Sequence, residues 1–288
     1  MNYATKLCIV SMVSVFSVSS MGLVQAADTP IVSTGGAAYN IGIPGNSNFT
    51  NSDNVSLGGQ AGTSNGNPYQ NPNDPNAKGN NIAIGRISLN GSSGGANVAL
   101  GSKTFLNGKG DYNFLGNFAA GFNSTISNTI AIGAFAGSNA KGNKNVWLGS
   151  GQAGGSTGNN TVLIGSNSTV DGNFNYGIGH NAELKGESNA VVGAYNHVTA
   201  NNTYVLGDHV TTTLDNAVVL GSHSTAESTD VVSTPSYTYA GGTVNFAGTA
   251  PVSTVSVGAT NQERTITHVA AGRVSADSTD AINGSQLY

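Results

Sequence analysis

Histidines, carboxylates and cysteines hold metals, move protons and attack carbonyls, so their positions in this 288-residue chain are the first test of whether it does chemistry. Four of the five histidines, His180, His197, His209 and His223, fall in a stretch of regularly spaced glycines. Counted from the preceding glycine they stand at offsets 1, 4, 2 and 2, so only His209 and His223 share a place in successive units. No carboxylate recurs beside them, and a metal site needs several converging ligands, so no metal and no cofactor is expected. His268 lies further on and reads as a packing or hydrogen-bonding residue. Asp171, Glu183 and Glu187 could serve as a carboxylate pair for glycan cleavage. Their offsets of 6, 4 and 8 place them at corners rather than in a shared groove. Serine, histidine and aspartate sets can be assembled on paper from any chain this rich in serine, and without geometry they mean nothing. Aspartates do not recur with the glycines, as calcium-binding nonapeptide repeats would require.

The elements that must position these residues are set by a repeat. It reads Asn, a few mostly apolar residues, then Gly, as in Asn81-Ile-Ala-Ile-Gly85, Asn97-Val-Ala-Leu-Gly101, Asn145-Val-Trp-Leu-Gly149 and Asn189-Ala-Val-Val-Gly193. Longer copies such as Asn128-Thr-Ile-Ala-Ile-Gly133 and Asn202-Thr-Tyr-Val-Leu-Gly207 carry one more residue. From Gly165 to Gly221 the glycines recur every 14 residues, and earlier units run 15 to 17 apart from one gap of 27 between Gly58 and Gly85. Fourteen residues at about 3.3 Å each make two short strands and two tight turns, which is one coil of a β-solenoid. An all-β solenoid follows, with 41 glycines supplying corners.

Within each unit the residues one and three before the glycine are apolar, as Ile82/Ile84, Val98/Leu100 and Val218/Leu220 show. Alternation puts both on one strand face, read as the coil interior, with the asparagine turning the corner in a left-handed conformation. Val170, Leu184, Val198, Thr212 and Ala226 follow as the interior positions of a second strand. The residue between the first two is also often apolar, as Ala83, Trp147, Leu163 and Val205 are. Apolar residues on both faces imply a second buried surface, supplied most simply by further copies of the chain. Trp147 is then buried between subunits, or else an exposed ligand anchor.

The ends add compartment and texture. Lys6, the apolar stretch Leu7 to Val24 and Val24-Gln25-Ala26 read as a signal peptide over 1–26, with a membrane-spanning anchor as the alternative. The lone Cys8 lies inside that stretch, so disulfides and thiolate zinc are excluded downstream. With 10 basic against 14 acidic side chains and no basic cluster, no nucleic-acid partner is expected. The polar, proline-containing run Asn67-Pro-Tyr-Gln-Asn-Pro-Asn-Asp-Pro-Asn76 predicts a projecting loop over 67–79. It is either a tolerated insertion or a receptor contact through Tyr69, Gln70, Asn73 and Asp74. Residues 227–254 read as a β-rich connector with Tyr237, Tyr239 and Phe246.

The segment 255–288 closely resembles the neck of trimeric autotransporter adhesins at Arg264, Ile266, Val269, Ala270, Gly272, Asp280, Ala281, Asn283, Gln286 and Leu287. The repeats over 27–226 resemble the YadA-like head of the same family. The resemblance implies a left-handed parallel β-roll head and a homotrimer. In it Arg264, Ile266, Val269, Asp280, Asn283, Gln286 and Leu287 shape the neck that leads to a coiled-coil stalk. It also implies an exported, non-catalytic protein of the bacterial outer membrane and cell surface, binding a host extracellular-matrix protein or cell-surface receptor. Stalk and C-terminal barrel are expected beyond Tyr288, so membrane anchoring is expected only through that barrel. A passive spacer or fibre rod, and a glycan-cleaving β-solenoid, are the competing readings.

Overall fold

Strands of two to five residues separated by tight turns are all that a 14- to 17-residue repeat can form, and the computed structural model shows them stacked in parallel coils. It describes residues 31–33, 40–42, 55–58, 60–62 and 80–288. The signal-peptide reading over 1–26 and the loop over 67–79, with Tyr69, Gln70, Asn73 and Asp74, lie outside the described residues. The chain divides into two compact units, Met1–Ala140 and Lys141–Tyr288.

In the first unit β1 (Ile31–Ser33) pairs antiparallel with β2 (Asn40–Gly42). Thereafter β3 (Val55–Leu57), β4 (Ile82–Ile84), β5 (Val98–Leu100) and β6 (Phe114–Gly116) stack in parallel. β7 (Thr125–Ser127) lies on the other wall, and β8 (Ile130–Ile132) continues the stack after β6. Successive coils from β4 onward are offset by 16 residues, so equivalent side chains sit above one another. Ala83, Ala99, Leu115 and Ala131 fill the interior from this wall, and Phe105 and Ile126 fill the extra width that the longer coil creates.

The second unit opens with β9 (Lys141–Asn143) and β10 (Val146–Leu148), followed by alternating walls. One wall continues with β11 (Val162–Ser166), and β12 (Thr169–Asp171) starts the other. The first wall adds β13 (Tyr176–His180), β15 (Ala190–Val192), β17 (Tyr204–Leu206) and β19 (Val218–Leu220). The second adds β14 (Glu183–Lys185), β16 (His197–Thr199), β18 (Thr211–Thr212) and β20 (Thr225–Ala226). The step from β10 to β11 is still 16 residues; from β11 and β12 onward each step is 14 residues in strict parallel register. Beyond the coils, β21 (Ser236–Tyr239) and β22 (Gly242–Asn245) form an exposed antiparallel hairpin, and β23 (Val255–Ser256) returns to pair with β19.

The direction of the first-wall strands is opposite to the expectation. The middle residue of each triplet points inward: Trp147, Leu163, Val191, Val205 and Val219 are buried, while the flanking Ile164, Val192 and Leu206 are exposed. Alternation fixes which residues share a face, but with both faces apolar it does not say which face is inside. Val170, Leu184, Val198, Thr212 and Ala226 are buried, as the repeat predicts for the second wall.

A second correction concerns the asparagines, which occupy two different places. In short copies the asparagine is a buried rung: Asn97 and Asn113 donate their backbone N–H to Oδ1 of Asn81 and Asn97, at 2.9 and 3.1 Å. Nδ2 of Asn97 donates to the Gly110 carbonyl at 2.9 Å, so the amide joins coils and walls at once. In longer copies threonine takes the rung, and the preceding asparagine turns the corner, as at Asn128 (φ 52°), Asn160 (φ 54°) and Asn202 (φ 53°). Only this second group plays the left-handed role expected of them all.

Candidate functional site

Because the interiors are filled from the middle of each triplet, the apolar flanking residues have no cover among the described residues of their own unit. In the first unit Leu57, Ile84, Phe114, Ile130 and Ile132 are exposed, and in the second Tyr176, Ile178, Val192, Tyr204 and Leu206 are. Ile178 at 51% and Leu206 at 59% exposure are far more open than isolated surface aliphatics need to be. Between them Ala190, Val192, Tyr204, Leu206, Val218 and Leu220 line a shallow groove of about 250 Å³ with almost no polar surface. A contiguous apolar strip on a parallel wall marks a surface that meets another protein surface.

Trp147 does not belong to it. Its side chain is 0% exposed inside its own coil, and Nε1 donates to Thr161 Oγ1 at 3.0 Å. Neither an exposed anchor nor a residue buried between subunits describes it; it is a core residue whose polar edge has a partner.

The outward face of the second wall is polar and paired. Glu183 contacts Lys185 at 2.5 Å and His197 at 2.8 Å. The Lys185 hydrogen bond, with His197 nearby, holds the Glu183 carboxyl below its ordinary range. Asp171 accepts from Thr157 Oγ1 at 2.9 Å, and Glu187 from Asn173 Nδ2 at 3.0 Å. A glycosidase acid must hold a proton near neutral pH, and a carboxyl with a depressed pKa does the reverse. Among the described residues no three or more His, Cys, Asp or Glu side chains are grouped to hold a metal ion.

At the end of the second unit Arg264 reaches back over Gly221. It donates to the Ser222 carbonyl at 2.6 Å, Ser224 Oγ at 3.0 Å and the Val257 carbonyl at 2.7 Å. Arg273 and Asp280 form a two-bond pair at 2.8 and 2.9 Å. Gln286 exchanges bonds with the Gly272 backbone at 2.9 and 2.8 Å, and Asn283 donates to the Val269 carbonyl at 3.0 Å. Of the polar members, only Asn283 and Gln286 are brought together, Arg264 docks on the last coil and Asp280 pairs with Arg273, while Ile266 and Leu287 are exposed and Val269 is half-buried. Among the described residues nothing covers Ile266 and Leu287. No helix among the described residues is long and apolar enough to cross a membrane.

The architecture defines a parallel β-solenoid protein that presents surfaces. Residues 265–288 match the family described as the coiled stalk of trimeric autotransporter adhesin. The chain is 57% identical over 61 residues to the autotransporter adhesin BtaE of Brucella suis, a match covering 21% of this chain and 8% of that relative. A solved structure, the C-terminal YadA-like domain of a Burkholderia pseudomallei protein, is 45% identical over 32% of this chain and 42% of that one, with a TM-score of 0.31. Together the repeat fold and the sequence matches support a trimeric autotransporter adhesin, and that family implies a homotrimer.

Proposed function

We propose that this chain is the head of a trimeric bacterial surface adhesin that binds a host extracellular-matrix or cell-surface protein without turnover. The observation that carries the reading is the uncovered apolar strip on walls whose interiors are already full. Three copies placing these strips against one another would bury them and leave the polar second walls facing outward. Threefold repetition then turns modest single-site affinity into avidity. A signal peptide over 1–26 would export the protein, and the likeness to surface adhesins supports its placement at the bacterial surface.

The test is binding of the purified, trimeric chain to immobilised matrix proteins and to host cells, compared with a variant lacking 67–79. Saturable binding that is lost on monomerisation supports the adhesive head. A trimer that binds nothing on either surface supports the passive-spacer reading instead. Binding that survives the deletion unchanged removes the loop as the contact.

A further inference from the structure

From the second wall back to the first, the chain turns a short corner, as residues 213–217 do between β18 and β19. After β20 the same passage takes residues 227–254 and carries the hairpin of β21 and β22 before β23 rejoins β19. Its foot is fixed to the preceding coil: Ser253 Oγ donates to the Asp215 carbonyl at 2.9 Å, and the Val218 N–H donates to the Thr254 carbonyl at 3.0 Å.

Cross-strand pairing gives this hairpin two unlike sides. Tyr237 stands opposite Val244 and Tyr239 opposite Gly242, so both tyrosines share a side with Val244, and their rings lie near parallel with centroids 6.4 Å apart. Phe246, whose N–H donates to the Pro235 carbonyl at 2.9 Å, extends that side by alternation. The other side holds Ser236, Thr238, Thr243 and Asn245, with the two threonine hydroxyls 3.1 Å apart. Tyr237, Tyr239, Val244 and Phe246 are all exposed. Two strands with an open aromatic side are marginal in water and need a surface to pack on.

Symmetry selects that surface. Ile178, Val192, Leu206 and Leu220 follow one another coil by coil, so the exposed strip runs along the stack, and a homotrimer that buries it sets its axis along the stack too. Contacts around a threefold axis are heterologous, so one edge of a first wall faces the opposite edge of the next copy. Rotation moves nothing along the axis, and each element therefore meets what the opposite edge carries at its own level. The hairpin leaves the edge that precedes the first wall, at the level of Asp215. The edge that follows the first wall carries, at that level, Tyr195, His209 and His223, exposed rings stacked at 4.8 and 5.0 Å.

We infer that the aromatic side of the hairpin docks on the ring column of Tyr195, His209 and His223 of the neighbouring copy, a contact that rests on the homotrimeric reading above. Strands of four residues at about 3.3 Å per residue reach about 13 Å past the corner, which spans the roughly 10 Å between packed sheets. Because the rings of the column cover one another's faces, their edges are what a neighbour meets, and edge-to-face contact suits the tyrosine rings of the hairpin. The hairpin thereby ties each copy to the next where the coils give way to the neck.

Cys8 is replaced by serine in the full chain so that no native thiol remains. Double variants then join Tyr237→Cys or Tyr239→Cys to Tyr195→Cys or His209→Cys. Mild oxidation of the assembled protein is expected to give a covalent trimer on denaturing gels for at least one of these pairs. Tyr239→Cys joined to Thr199→Cys, on the exposed outer side of the second wall, should run as monomer. Tyr237→Ser/Tyr239→Ser should weaken trimer association at least tenfold in sedimentation while circular dichroism is unchanged. Monomer bands from every hairpin and column pair in a protein that sediments as a trimer, or equal cross-linking through Thr199, overturn the docking and leave the trimer standing. A Tyr237→Ser/Tyr239→Ser variant that self-associates fully but no longer binds a matrix protein makes the hairpin a host contact and overturns the docking as well. A wild-type chain that sediments as a monomer removes the homotrimer itself, and the docking with it.

Discussion

A Cβ added at Gly149 or Gly165 would overlap the carbonyl oxygen of the glycine one coil further on, at Gly165 and Gly179, in backbone with φ of 126° and 133°. These glycines serve close stacking as much as corner geometry, because only hydrogen lets one coil sit against the next there. Gly165→Ala is therefore expected to lose about 1–3 kcal/mol in chemical denaturation, far more than an alanine at a half-buried left-handed corner such as Ser188. Trp147 fills the coil interior, and Trp147→Ala should cost about 3–5 kcal/mol through the cavity it leaves, while the Thr161 hydroxyl keeps its bond to Asn145 Oδ1. Retention of full stability in that variant would contradict its burial. Asn145 shows what the motif conceals: its Oδ1 accepts from Thr161 N–H at 2.9 Å and its Nδ2 donates to the Gly158 carbonyl at 2.8 Å. The asparagine and the glycine were both visible in the repeat; that the amide is a buried rung was not, since the same letter also marks the exposed corner.

Within a single strand, neighbouring residues separate folding from association. Val205 points into the coil and Leu206 out of it, so Val205→Asp should abolish the cooperative unfolding transition, whereas Leu206→Asp should leave the coil intact and weaken self-association. Analytical ultracentrifugation alongside thermal melts distinguishes them, and equal disruption by both changes would mean that the strip is not an interface. The second wall and the neck make a pH prediction. Lys185 lowers the Glu183 carboxyl from its ordinary 4.5, and the Arg273 hydrogen bonds lower that of Asp280 from 3.8. A depressed carboxyl stabilises the fold above its unfolded value and loses that contribution as pH falls through the folded one. Amide exchange near β14 and around Arg273 should therefore accelerate below about pH 4 while the buried rungs remain protected. Both ion pairs are solvent-exposed, so the effect is local rather than global.

For the molecule as a whole, the exposed strip, Tyr237 and Tyr239 of the hairpin, and Ile266 and Leu287 are left open by the described residues of one chain. Dilution is expected to dissociate and destabilise the protein together, giving a concentration-dependent melting temperature. A melting temperature independent of concentration, with a monomer in sedimentation, would remove the trimeric basis of the adhesive reading.

The sequence by itself determined the repeat length, the all-β class, the parallel stacking and the second-wall interior, because each follows from where glycines recur and which residues between them are apolar. Only the tertiary structure decided which face of the first-wall strand is inside, where Trp147 lies, which asparagines are rungs and that the rings of Tyr195, His209 and His223 stack on one another. The reason is physical. Periodicity orders residues along the chain, but when both faces of a strand are apolar, the inward one is selected by how much volume two facing walls can close around. That quantity belongs to the packed coils and to no single repeat.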